Sequence, residues 1–141
     1  MKTTGITTID NAPQVVAGWL NLLQEDLGWP DRGRAYLLLR VTLHAIRDFL
    51  TVDEAADLSA QLPLLIRGIF FEGWIPAKTP AKPRSLDDFL GRVTKAFAGD
   101  PLAEPDVAVA AVFSVLRRQI SLGEYRQVAW AMRKPLRDLW V

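Results

Sequence analysis

The sequence contains no cysteine and a single histidine, His44. Disulfides are therefore excluded, and a zinc site of the His/Cys type cannot be assembled from this chain alone. Long apolar runs are also missing: Val107 to Phe113 falls far short of the about 20 residues that a membrane-spanning helix needs. The opening MKTTGITTIDNAPQ has no apolar core of signal-peptide length. Glycines are scattered as punctuation (Gly28, Gly33, Gly68, Gly73), so no loop is built to cradle a phosphate. Neither sign of charge dominates, with 17 basic and 16 acidic residues giving a net charge of +1. These absences predict a soluble cytoplasmic protein with no metal, no cofactor, no membrane partner and no nucleic-acid partner.

What is present predicts a folded, all-helical chain. Half of the residues are hydrophobic, enough for a real core in 141 residues. Residues 1–14 lack periodicity and are expected to form a flexible arm. Val16, Trp19, Leu20, Leu23 and Leu27 then follow steps of three and four, one face of an amphipathic helix ended by Gly28-Trp29-Pro30. Asp31 can cap the next helix, near residues 32–50, whose apolar positions cover a broad arc suited to a central place. Thr51-Val52-Asp53-Glu54 has the form of a capping box, as do Ser85-Leu86-Asp87-Asp88, with Asp in place of Glu, and Ser121-Leu122-Gly123-Glu124, and Pro63 suits the first turn of a short helix reaching Phe71.

Residues 76–84 carry Lys78, Lys82 and Arg84 among prolines and read as a solvated basic linker. Beyond it the same plan returns at an offset of seventy. Trp19, Leu20, Leu23 and Leu27 fall on Phe89, Leu90, Val93 and Phe97; Thr51 and Glu54 fall on Ser121 and Glu124; Arg67 falls on Arg137. The expected fold class is all-α, a helical bundle of two divergent four-helix units in tandem, residues 15–75 and 85–141, in one compact domain.

Chemistry is thinly represented. Asp53 and Asp57 share a helix face but supply too few oxygens for a hard cation. His44 and Asp48, four residues apart, could form a pair, and a polar-edge histidine bonded to Asp48 is the expectation. The five tryptophans are more suggestive. Trp19 and Trp130 are expected in the core, whereas Trp29, Trp74 and Trp140 lie beside breaks or ends, where aromatics seal a rim or anchor an interface. The equivalent arginines, Arg47 with Arg117 and Arg67 with Arg137, could bind an anion or satisfy helix C-terminal carbonyls.

One stretch carries a resemblance. Leu43-His44-Ala45-Ile46-Arg47-Asp48, Leu50-Thr51-Val52-Asp53-Glu54-Ala55, Gln61-Leu62-Pro63 and Ile66-Arg67-Gly68-Ile69-Phe70-Phe71-Glu72-Gly73-Trp74 resemble the bacterial domain of unknown function 2267 family. Asp88-Phe89-Leu90-x-Arg92-Val93 is similar to the start of that family's second helical unit. The second unit departs from the pattern, with Met132-Arg133 where Leu-Pro would stand and the proline at Pro135. The resemblance implies an all-helical, bacterial, cytoplasmic protein and brings no activity, catalytic residue or cofactor. The residues favour a non-enzymatic module that binds a protein partner or itself, with Arg67, Trp74, Arg137 and Trp140 as partner-binding candidates. The alternative is a small-molecule binder or minor enzyme with a pocket between the units near His44, Arg47, Asp48 and Arg117.

Overall fold

The computed structural model describes residues 3–140, and the chain is all-α, with no strand among them. A single turn, α1 (Thr7–Asp10), is tied back by the Asp10 carboxylate, which accepts from the Thr4 and Gly5 amides at 2.8 and 3.1 Å. Helix α2 (Ala12–Leu27) begins three residues before the expected Val15, because Pro13 can occupy a first turn whose amides have no intrahelical acceptors. It ends at Gly28 with φ +65°, a left-handed C-cap that a glycine takes without a Cβ penalty.

Helix α3 (Arg32–Phe49) is capped by Asp31, whose carboxylate accepts from the Arg34 amide at 3.2 Å. Its broad apolar arc puts it at the centre, as predicted: it packs on α2 and on three later helices. Helix α4 (Val52–Ala60) opens on the full Thr51/Glu54 capping box. In α5 (Leu64–Phe71), Pro63 is the N-cap rather than a residue of the first turn.

The basic linker is anchored as well as solvated. After a short 3-10 turn at Pro76–Lys78, the buried Ala81 donates its amide to the Asp48 carbonyl at 2.7 Å. Crossing the end of α3, the linker satisfies a carbonyl that the helix itself cannot. Lys78 and Lys82 remain exposed.

Helix α6 (Leu86–Lys95) opens on a complete Ser85/Asp88 box. Helices α7 (Pro105–Gln119) and α8 (Leu122–Ala131) follow, and a 3-10 turn, Leu136–Leu139, closes the chain. Helix α2 packs on α7 and α6 packs on α3, while α3 meets α7 and α4 meets α8. The buried side chains form one continuous cluster drawn from both halves of the sequence. An aromatic row runs through it: Phe49 meets Phe89 edge-on at 5.2 Å, Phe89 meets Phe113 at 5.8 Å, and Phe113 stacks on Trp140 at 3.9 Å.

Candidate interaction surface around Trp130

Helix α8 buries Tyr125, Val128, Ala129 and, just past its end, Met132, at helical spacing. Trp130 lies off that stripe. The expectation that it belongs to the core is overturned: its side chain is 70% exposed, the most exposed large hydrophobic among the described residues. The signal was in the sequence, since five steps of about 100° carry position 130 well away from the Tyr125 direction. Trp19, by contrast, is buried as expected.

Two cavities border Trp130. One, of ≈ 440 Å³ between α4 and α8, is lined by Glu54, Asp57, Glu124, Gln127 and Val128. The other, of ≈ 310 Å³, is lined by Arg117, Tyr125, Arg137 and Trp140. Arg126 and Trp130 line both.

The Ser121 cap explains the charge of the first cavity. Ser121 Oγ accepts from the Glu124 amide at 3.2 Å, but the reciprocal half of the expected box is missing. Gln61 has taken that place, its Oε1 accepting the Ser121 amide at 3.1 Å. The Glu124 carboxylate therefore has no hydrogen-bond partner among the described residues. Partial burial, with the Asp57 carboxylate nearby, pushes its pKa above the ordinary glutamate value. Glu54, seventy positions earlier, accepts from the Thr51 amide at 2.8 Å and closes its own box.

The four partner-binding candidates lie in three places. Arg67 clamps the end of α4, Nε donating to the Ser59 carbonyl and Nη2 to the Leu62 carbonyl, both at 2.9 Å. It also lines a separate apolar cavity of ≈ 370 Å³ with Val15, Leu64 and Leu65. Arg137 clamps the end of α8 in the same manner, donating to the carbonyls of Met132 at 3.0 Å and Trp130 at 3.2 Å. Its guanidinium carbon also lies 4.4 Å over the Trp130 ring. Trp140 is buried beneath this surface, and Trp74 is half-buried against Phe71 at 5.1 Å, in contact with neither cavity. Arg137 and Trp140 are thus brought together; Arg67 and Trp74 stand apart.

Of the residues considered for an inter-unit pocket, His44, Arg47 and Asp48 lie together, Arg47 and Asp48 bordering a small cavity of ≈ 120 Å³ with Arg92, and Arg117 stands apart. Buried Arg47 donates to the carbonyls of Phe70 and Glu72 at 3.0 and 2.8 Å and to Asp48 at 2.9 Å. Arg117 is exposed, on the cavity with Trp140. His44 does not hold Asp48; its Nε2 lies 2.7 Å from the Ile69 carbonyl, and Asp48 pairs with Arg47 and Arg92 instead. Burial, reinforced by Arg47 and Arg40 and opposed by the Ile69 bond, lowers the His44 pKa, so the neutral ring donates to that carbonyl.

Among the described residues no group of three or more His, Asp and Glu side chains could hold a metal ion, and no helix is long and apolar enough to cross a membrane. The fold defines an all-α protein with an exposed aromatic ridge between two cavities. The chain belongs to the DUF2267 family, described as an uncharacterized conserved protein, whose family model matches residues 17–139. No curated protein matches the sequence.

Proposed function

We propose that this chain is a non-enzymatic helical module that binds another protein or a second copy of itself, and that the surface it uses is centred on Trp130 of α8. The carrying observation is the indole left 70% exposed between two cavities. Tryptophan anchors are characteristic of interface centres, because a large rigid ring offers much contact area for little conformational entropy. Arg137 fixes the ring from one side and Trp140 forms the floor of the adjoining cavity. Of the four candidate residues this reading keeps Arg137 at the interaction surface with Trp140 beneath it, and gives Arg67 and Trp74 no part in that surface.

The same reading takes the chain as two divergent copies of one helical unit. The α4 and α8 starts lie seventy residues apart, the α2–α7 and α6–α3 contacts are exchanged by the same offset, and Arg67 and Arg137 make matching clamps. Under that relation Glu54 pairs with Glu124 and Asp57 with Gln127, so the α4–α8 cavity lies where the two units meet.

Analytical ultracentrifugation and nuclease-treated affinity purification of the tagged protein test the proposal together. Trp130→Ala is expected to abolish either a self-associated species or a stoichiometric companion while leaving far-UV helicity unchanged. A variant that retains the full assembly and companion set of the parent overturns it. A second reading, small-molecule binding, is favoured by the ≈ 440 Å³ volume of the α4–α8 cavity, which falls in the range of ligand sites. Ligand-dependent thermal stabilisation by small organic compounds that persists in Trp130→Ala would support it.

A further inference from the structure

We infer that the α4–α8 cavity receives an arginine side chain of a partner protein, its guanidinium held by Glu124 and Asp57 and flanked by the indole of Trp130. This inference rests on the interaction reading above and names the chemistry of the occupant.

Charge complementarity selects a cation. Glu54, Asp57 and Glu124 against Arg126 leave the cavity lining at −2, three negative charges less one positive. Glu54 is engaged by the Thr51 amide, but neither the Asp57 nor the Glu124 side chain has a hydrogen-bond partner among the described residues. The substitution of Gln61 for Glu124 at the Ser121 amide creates this state: a carboxylate that would close a cap is displaced toward the cavity while another side chain does its work. Two neighbouring carboxylates with raised proton affinity at one of them gain most from a donor that can reach both.

The form of the cation follows from its surroundings. The lining pairs carboxylates with an aromatic ring, which suits a cation that offers both donors and a flat face. A guanidinium is planar, carries several donors in a fixed fork and stacks on an aromatic face, whereas an ammonium is a compact, strongly hydrated point charge. Trp130 supplies such a face, and the structure already shows the pairing once: Arg137 lies 4.4 Å over the same ring from the side of the second cavity. The cavity, at ≈ 440 Å³, has room for the side chain and part of its backbone.

The test is a titration of the whole protein with acetyl-Gly-Arg-Gly-amide, following the Trp130 indole N–H resonance, identified by its loss in Trp130→Phe. The arginine peptide is expected to shift that resonance to saturation, and the citrulline peptide, neutral but isosteric, to leave it in place. Glu124→Gln should weaken the arginine peptide about tenfold, the cost of one charge-assisted hydrogen bond. Equal binding of the citrulline peptide, or an unchanged affinity in Glu124→Gln, overturns the inference. If the arginine peptide shifts nothing while Trp130→Ala still disperses the assembly, the arginine fails and the interaction surface stands. If Trp130→Ala also changes nothing, both fail.

Discussion

Positions seventy apart in this chain fall into two groups, and the contrast between them separates support from surface. Arg67 and Arg137 do one job twice, each bridging two carbonyls at the end of the preceding helix. Thr51 and Ser121 each cap the helix that follows. The other group differs: Arg47 is buried among carbonyls and Arg117 is exposed, Glu54 closes its cap and Glu124 does not, and Ala60 stands seventy positions before Trp130. The repeated features satisfy orphan backbone groups, a need that every helix end has. Two of the three divergent positions on the later half border the same cavity and the third borders its neighbour. A large apolar ring mostly open to solvent, with Arg137 over one face, and a carboxylate without a hydrogen-bond partner among the described residues bring little internal gain, which is why we propose them for binding.

The largest effect should separate two tryptophans of the one surface. Trp140→Ala removes a buried ring stacked on Phe113 at 3.9 Å and should cost about 4 kcal/mol of unfolding free energy in urea titrations. Trp130→Ala should cost about 1 kcal/mol or less, since an exposed side chain gives up little burial and one cation–π contact with Arg137. Similar losses in both variants would mean that Trp130 is a structural residue, and the contrast on which the surface rests would be gone.

Arg47 and Arg117 sharpen the same contrast at a somewhat smaller scale. Arg47→Leu strips donors from Asp48 and from the carbonyls of Phe70 and Glu72, and should cost about 3 kcal/mol. Arg117→Leu should cost less in the same denaturation experiment, because solvent screens the interactions of an exposed guanidinium. An equal loss would show that the later arginine carries internal weight as well.

The fold was legible in the sequence because its determinants are local. Apolar spacing set the helices, and Gly28, Asp31, Thr51, Ser85 and Ser121 marked their ends with chemistry that acts over three or four residues. The central place of α3 followed from the width of its apolar arc. What was not legible depends on pairs distant in sequence. Gln61 reaches Ser121 across sixty positions and undoes a box that the local pattern predicts. His44 bonds to Ile69 rather than to Asp48, which Arg92 draws away from another helix. Trp130 is a different failure: hydrophobicity suggested the core where helical angle alone would have placed the ring outside.

The smallest effect concerns the two glutamates. Glu54→Ala removes one half of a complete capping box and should cost about 1 kcal/mol. Glu124→Gln should do the opposite. Burial and Asp57 raise the Glu124 pKa in the folded state, so between the ordinary glutamate value and the raised one the folded chain holds more proton than the unfolded chain. Stability therefore falls as pH rises through that window, and above it the penalty remains in full. Glutamine carries no charge to bury, so the variant should be slightly more stable than the parent at pH 7 and should lose the difference as the pH is lowered below the ordinary glutamate range. Denaturation curves of parent and variant at pH 7 and pH 4 check the sign. A Glu124→Gln protein destabilised at pH 7 would show that the carboxylate has an internal partner after all, and the cavity would lose the unsatisfied charge that distinguishes α8 from α4.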